Sequence, residues 1–183
     1  MDTNTFNNLI SQTWPDLHAA STLGGGTFGT VYACTKTDAV TGVTQKEAVK
    51  VVRVDFTPED RANAEEEGIP FADYYRAVKE KRLQEIRWMV ALKSPHIVHI
   101  NGYTAIEEPD LSALYILIRM DRLTTLDQLR PAHLNDTPEQ AAALAEKVAL
   151  DICDALRVCH QNGVLHRDIK PANILCSDAG DFY

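Results

Sequence analysis

Apolar residues recur with a period of two in some stretches of the chain and every three to four residues in others. Residues 17–24 and 29–36 (GTVYACTK) carry β-branched and aromatic residues and read as strands. In 45–54 (QKEAVKVVRV), Ala48, Lys50, Val52 and Val54 alternate with Val49, Val51 and Arg53, which makes a third strand. The turn DAVTGV, with Gly42, joins the last two, so the chain opens as an antiparallel meander. SPHIVHINGYTAI and LSALYILIRM are two further strands linked by EEPD. Between the third and fourth strands, Tyr75, Val78, Arg82, Glu85, Ile86, Met89 and Leu92 recur at helical spacing and predict a helix over 71–93. Residues 4–13 predict a short helix capped by Asn4 or Thr5 and stopped by Pro15. The acidic stretch 55–70, with Pro58, Gly68 and Pro70, reads as a loop or a short mobile helix. TTLDQL reads as a short helix. Thr137-Pro138-Glu139-Gln140 starts a long one, which stops at Gly163 and has an apolar face of Leu144, Val148, Ile152, Ala155 and Val158.

These elements predict an α+β chain: a small lobe of five antiparallel strands and one helix, then a helical segment. The expected divisions are an extension over 1–16, the sheet lobe over 17–119, and a hinge with a partial second lobe over 120–183. With 183 residues, 45% of them hydrophobic, the chain can bury a core. A formal net charge of −8 argues against a general nucleic-acid binder. No run approaches the ~18 apolar residues of a membrane span, and MDTNTFNNLI lacks the basic and apolar regions of a secretory signal. The 4 cysteines (Cys34, Cys153, Cys159, Cys176) form no CxxC pair. They are expected to be reduced in a cytoplasmic protein.

Three segments carry candidate chemistry. Leu23-Gly24-Gly25-Gly26-Thr27-Phe28-Gly29-Thr30-Val31 contains GxGxxGxV with glycines at 24, 26 and 29. Lying between two strands, it can approach phosphates because no Cβ blocks the backbone. A plain glycine turn fits as well, whereas a dinucleotide fold needs a helix after the glycines. Lys50, within Ala48-Val49-Lys50, needs an anionic partner if it faces inward. At a sheet edge it would simply face water. Glu85 on the long helix is the candidate partner, and a solvated face residue is the plainer reading of it.

The third segment is His166-Arg167-Asp168-Ile169-Lys170-Pro171-Ala172-Asn173-Ile174-Leu175, an HRDxKxxN pattern. Here an aspartate can orient the proton of an attacking hydroxyl. A lysine two residues on can neutralise a transferring phosphoryl group, and an asparagine five residues on can offer oxygen to Mg²⁺. Taken in order, these segments resemble the eukaryotic-type (Hanks-type) serine/threonine protein kinases from about residue 17 to the end. The resemblance implies ATP and Mg²⁺ as cofactors and a protein hydroxyl as acceptor. It assigns Asp168 as the catalytic base with Lys170 beside it, Lys50 paired with Glu85 to hold phosphates, and Asn173 as a metal ligand. Gly24, Gly26, Gly29, Val31, Ala48, Met120 and Leu175 would surround the nucleotide. The lysine at 170 points to serine/threonine rather than tyrosine substrates.

The sequence departs from the family pattern in three places. The stretch from Lys50 to Glu85 is longer than usual by about 10 to 15 residues, which fall in 55–75. Arg119 stands where the family often has Glu. The metal-binding DFG is expected ~13 residues after Asn173, near position 186, so Asp181-Phe182-Tyr183 reads as a decoy, with a degenerate DFG as the alternative, and Asp178-Ala179-Gly180 as the hairpin turn before the DFG strand. On this reading the chain is an N-terminal piece, poorly active alone. Its long helix would be left exposed and prone to self-association or segment swapping. The alternative is a kinase-like binding or scaffold module that does not catalyse. No specific protein substrate is legible.

Overall fold

The computed structural model describes residues 2–26, 29–38 and 40–183. The chain divides into two compact units, Met1–Met89 with Ile100–Arg122, and Val90–His99 with Leu123–Tyr183. The residues just after the long helix, 90–99, thus belong with the second unit.

The first unit is built on five antiparallel strands: β1 (Leu17–Gly26), β2 (Gly29–Thr37), β3 (Thr44–Asp55), β4 (Ile100–Glu107) and β5 (Ala113–Asp121). Their order is β1-β2-β3-β5-β4. Its helices are α1 (Thr3–Ile10), α2 (Pro58–Glu66) and α3 (Phe71–Ala91). The β2–β3 turn is set by Asp38, whose carboxylate accepts from the amides of Val40 at 3.0 Å and Thr41 at 2.7 Å. The acidic stretch after β3 forms a defined helix. Thr57 and Asp60 close a reciprocal capping box around its first turn, with Pro58 inside it.

Each face of the sheet has its own core. On one face, Tyr32, Cys34, Val49, Val51 and Leu117 pack with Phe6 and Ile10 of α1. On the other, Leu114, Ile116 and Ile118 pack with Phe56 and with Tyr75, Leu83 and Ile86 of α3. The first 16 residues are therefore part of this unit, not an appended extension. Phe6 is fully buried, and its ring stacks on Tyr32 with centroids 3.9 Å apart. The Asn7 side chain bonds both the amide (2.8 Å) and the carbonyl (3.1 Å) of Ala19 on β1. The cap of α1 is Asp2, not Asn4 or Thr5. Its carboxylate accepts from the Thr5 amide at 2.9 Å and suits the positive end of the helix. On α3 the buried stripe is Tyr75, Leu83 and Ile86. Met89 lies off it and is 51% exposed.

The second unit holds β6 (Thr124–Thr125), α4 (Leu126–Leu129), α5 (Pro138–Gln161) and β7 (Leu175–Cys176). Thr137 and Gln140 form the capping box that opens α5, and Gly163, at φ 72°, turns the chain away after it. Leu144, Val148 and Ile152 of α5 pack on Ile174, Cys176 and Phe182. Of the helix face expected to lie exposed, Leu144, Val148 and Ile152 are thus covered, by a hairpin of residues 174–183. Leu150 of α5 faces outward and is 64% exposed. No helix among the described residues is long and apolar enough to cross a membrane.

Candidate functional site

The candidate residues fall into two sets, one in each unit. In the first unit, β2, β3 and β5 bring Val31, Lys50 and Ile118 into one register row, and Ala48 opposite Met120 in the next. Strand alternation turns these residues to the α3 face, away from Val49 and Leu117. Ala48 is buried. Of the glycines, Gly24 pairs with Val31 and Gly26 with Gly29. Gly29 is required by close approach: its φ is +111°, and a Cβ there would lie 2.1 Å from the Val51 carbonyl oxygen. Thr27 and Phe28, at the middle of the glycine motif, lie outside the described residues.

Lys50 and Glu85 are not joined. Glu85 pairs with Arg82 one turn back on α3, at 3.3 Å. Among the described residues Lys50 has no ion pair, and burial pulls its ammonium below the usual lysine range. The sheet therefore presents a partly buried cation with no counter-charge among the described residues, an arrangement suited to an anionic ligand.

In the second unit, His166–Asn173 folds into a tight loop. Arg167 takes a left-handed conformation, φ 63°, and the Asp168 amide donates to His166 Nδ1 at 3.3 Å. Lys170 Nζ lies 2.9 Å from Asp168 Oδ2. Asn173 Nδ2 donates to the same oxygen at 2.8 Å and to the Asp168 carbonyl at 2.9 Å. The Lys170 contact, aided by Asn173, holds the Asp168 carboxyl below the usual range. Both donors use Oδ2, and among the described residues no hydrogen bond to Oδ1 is present. Among the described residues Asn173 bonds through its nitrogen, and its amide oxygen is a hard donor of the kind Mg²⁺ takes. Leu175 follows in β7, paired with Thr125.

Asp181 is not part of this loop. The chain turns at Ser177–Gly180, with Gly180 at φ 84°, and Phe182 bridges back to Cys176. Asp181 faces Lys147 of α5 at 3.4 Å, and Phe182 is buried. The Phe182 amide donates to Asp151 at 3.0 Å, and its carbonyl lies 3.0 Å from His96 Nδ1. Asp151 carries one signal in the sequence, a carboxylate within the apolar register of α5, beside Ile152 and one turn after Val148.

A family model described as "Protein kinase domain" matches residues 17–182. The chain belongs to the protein kinase family, with the Hanks-type serine/threonine pattern. This kinase domain is 28% identical over 158 residues to "Serine/threonine-protein kinase PknH" of Mycobacterium bovis, covering 86% of the chain and 22% of that protein. It is 30% identical over 161 residues to "Sporulation-specific protein 1" of Saccharomyces cerevisiae, covering 87% and 27%. It is 35% identical over 94 residues to "Serine/threonine-protein kinase PknB" of Mycobacterium tuberculosis, covering 51% and 14%. The chain thus spans about a quarter or less of the length of these relatives.

Proposed function

We propose that this kinase domain binds ATP with Mg²⁺ and serves phosphoryl transfer to serine or threonine hydroxyls of proteins. The observation that carries the reading is the Asp168 carboxylate, held ionised through Oδ2 by Lys170 and Asn173, with no bond to Oδ1 among the described residues. In this reading Oδ1 accepts the hydrogen bond of the attacking hydroxyl and takes its proton. Lys170 offsets charge on the transferring phosphoryl group, and Lys50 holds phosphate oxygens of the nucleotide. Val31, Ala48, Met120 and Leu175 contact the base, and Gly24, Gly26 and Gly29 keep the backbone close to the phosphates. Asn173 offers its amide oxygen to Mg²⁺, which when bound neutralises phosphate charge. Glu85 joins Lys50 by leaving Arg82.

The segment Met1–Tyr183 by itself is proposed to bind nucleotide and transfer little phosphate. The second reading is a binding or scaffold module that binds nucleotide or a protein partner without catalysis. A thermal-shift titration with ATP and Mg²⁺ tests nucleotide binding, and no shift at millimolar ligand would overturn it. A radiolabelled transfer assay, with Asp168→Asn as control, separates the readings: turnover abolished by that change would refute the low activity proposed for this segment. We further propose a cytoplasmic protein, supported by free cysteines at 34, 153, 159 and 176. Self-association through the outer face of α5 is proposed as well.

A further inference from the structure

On the α1 face of the sheet, Glu47 of β3 and Arg119 of β5 form a two-pronged ion pair. Arg119 Nη2 donates to Glu47 Oε1 at 2.9 Å, and Arg119 Nε donates to Oε2. The two side chains are only 6% and 12% exposed. Glu47 lies opposite Asp121, and Arg119 opposite Val49, so the pair runs diagonally across the strands. The register point it brackets is Ala48 opposite Met120, whose side chains face the other way.

A third group completes the arrangement. The Trp14 ring lies under the Arg119 guanidinium, 5.8 Å from its carbon. Its seat is Gly102 of β4, the register partner of Arg119, where a Cβ would come within 3.8 Å of the ring. Trp14 is itself fixed from both sides, its amide donating to the Ile10 carbonyl at 2.7 Å and its carbonyl accepting from Leu17 at 3.1 Å. The chain from α1 to β1 is thereby tied to β3, β4 and β5 behind the candidate base contacts.

A buried ion pair is a weak source of net stability, since an apolar pair of similar size often does as well. What it supplies is specificity of register, and a slip of one residue here would reverse the facing of Ala48 and Met120. We infer that Trp14, Glu47 and Arg119 form a positioning clamp that sets the adenine-contacting backbone of β3 and β5 from the opposite face of the sheet. The N-terminal segment would then tune nucleotide affinity without touching the nucleotide. The inference rests on the nucleotide-binding reading above.

The test is calorimetric titration of the 183-residue chain with Mg²⁺-ATP and, separately, with Mg²⁺-tripolyphosphate, at a temperature where circular dichroism shows each variant folded. Trp14→Ala and Glu47→Gln are each expected to weaken ATP about three- to ten-fold. Tripolyphosphate, which has no base, should bind them as it binds the parent chain, and Trp14→Phe should restore ATP affinity to within about two-fold. Folded variants that keep the parent ATP affinity would overturn the clamp. So would equal weakening of ATP and tripolyphosphate, which marks a general loosening of the fold. A parent chain that binds no ATP would overturn the nucleotide-binding reading itself, and the clamp with it.

Discussion

Asn173 Nδ2 donates twice to one residue, to the Asp168 carbonyl at 2.9 Å and to its Oδ2 at 2.8 Å. The first bond fixes the turn of the loop, and the second, with Lys170 on the same oxygen, fixes the carboxylate. Because Lys170 is the larger influence and Asn173 a smaller one, the two make a graded prediction. In carboxyl-carbon NMR titrations, Lys170→Met should move the Asp168 titration upward toward the ordinary range, and Asn173→Ala should move it up by less. The sign follows from removing a donor that favours the ionised form. If neither change moves the Asp168 resonance, the carboxylate is not held in this way.

Lys50 makes a prediction with two opposing signs. Its ammonium is partly buried with no ion pair among the described residues, and burial lowers its pKa from 10.5. The charged form therefore destabilises the native state at neutral pH. Lys50→Met should raise stability by about 1 kcal/mol, and the gain should shrink as pH rises through the lowered native value. The same change should weaken ATP binding at least about ten-fold, the loss of a charge-assisted phosphate contact. Urea melts and ATP titrations of one pair of proteins give both results, and a destabilised Lys50→Met chain would contradict the burial argument.

Much of this arrangement was legible in the sequence, and the failures share a cause. The strands, the long helices and the loop from His166 to Asn173 could be read because alternation, capping residues and motif spacing are local. Residues 1–16 could not be placed, because Phe6 and Ile10 look like the apolar side of any short helix until Tyr32 and Leu17 lie beneath them. Helical spacing on α3 picks out Tyr75 and Ile86, which the sheet takes, together with Glu85 and Met89, which it does not, and it misses Leu83. The face of α5 was expected to be bare, but the hairpin ending in Phe182 covers Leu144, Val148 and Ile152 of it. In each case tertiary packing chose among faces that periodicity alone left equivalent.

The docking of α1 gives the next prediction. Phe6 is wholly buried against Tyr32, so Phe6→Ala removes a large buried side chain and leaves a cavity. The expected loss is about 3–5 kcal/mol, seen as a lower midpoint in denaturant with an unchanged slope. A midpoint within error of the parent would mean that the first 16 residues are dispensable to the fold.

Asp151 should govern acid stability of the second unit. Burial pushes its carboxyl upward, but Lys147 at 2.9 Å, the Phe182 amide at 3.0 Å and His96 at 3.7 Å together bring it below the ordinary value of 3.8. A depressed native pKa means that the contribution is fully present above the unfolded value and is lost as pH falls through the native one. Asp151→Asn should destabilise the chain at neutral pH by about 1–3 kcal/mol and flatten the loss of stability below pH 3.8. A variant with the same acid limb as the parent would place the acid sensitivity elsewhere.

The outer face of the second unit carries the last prediction. Leu150 on α5 is 64% exposed, and Leu165, just before the HRD sequence, is 60% exposed. Side chains of this size in water favour burial against another surface, worth about 1.5–3 kcal/mol each when fully covered. Light scattering of the 183-residue chain should show mass rising with concentration, and Leu150→Glu should reduce that rise without changing the melting temperature by more than a surface substitution does. A parent chain that stays monomeric across the accessible range would end the self-association proposal. Oligomers that persist unchanged in Leu150→Glu would move it to another surface.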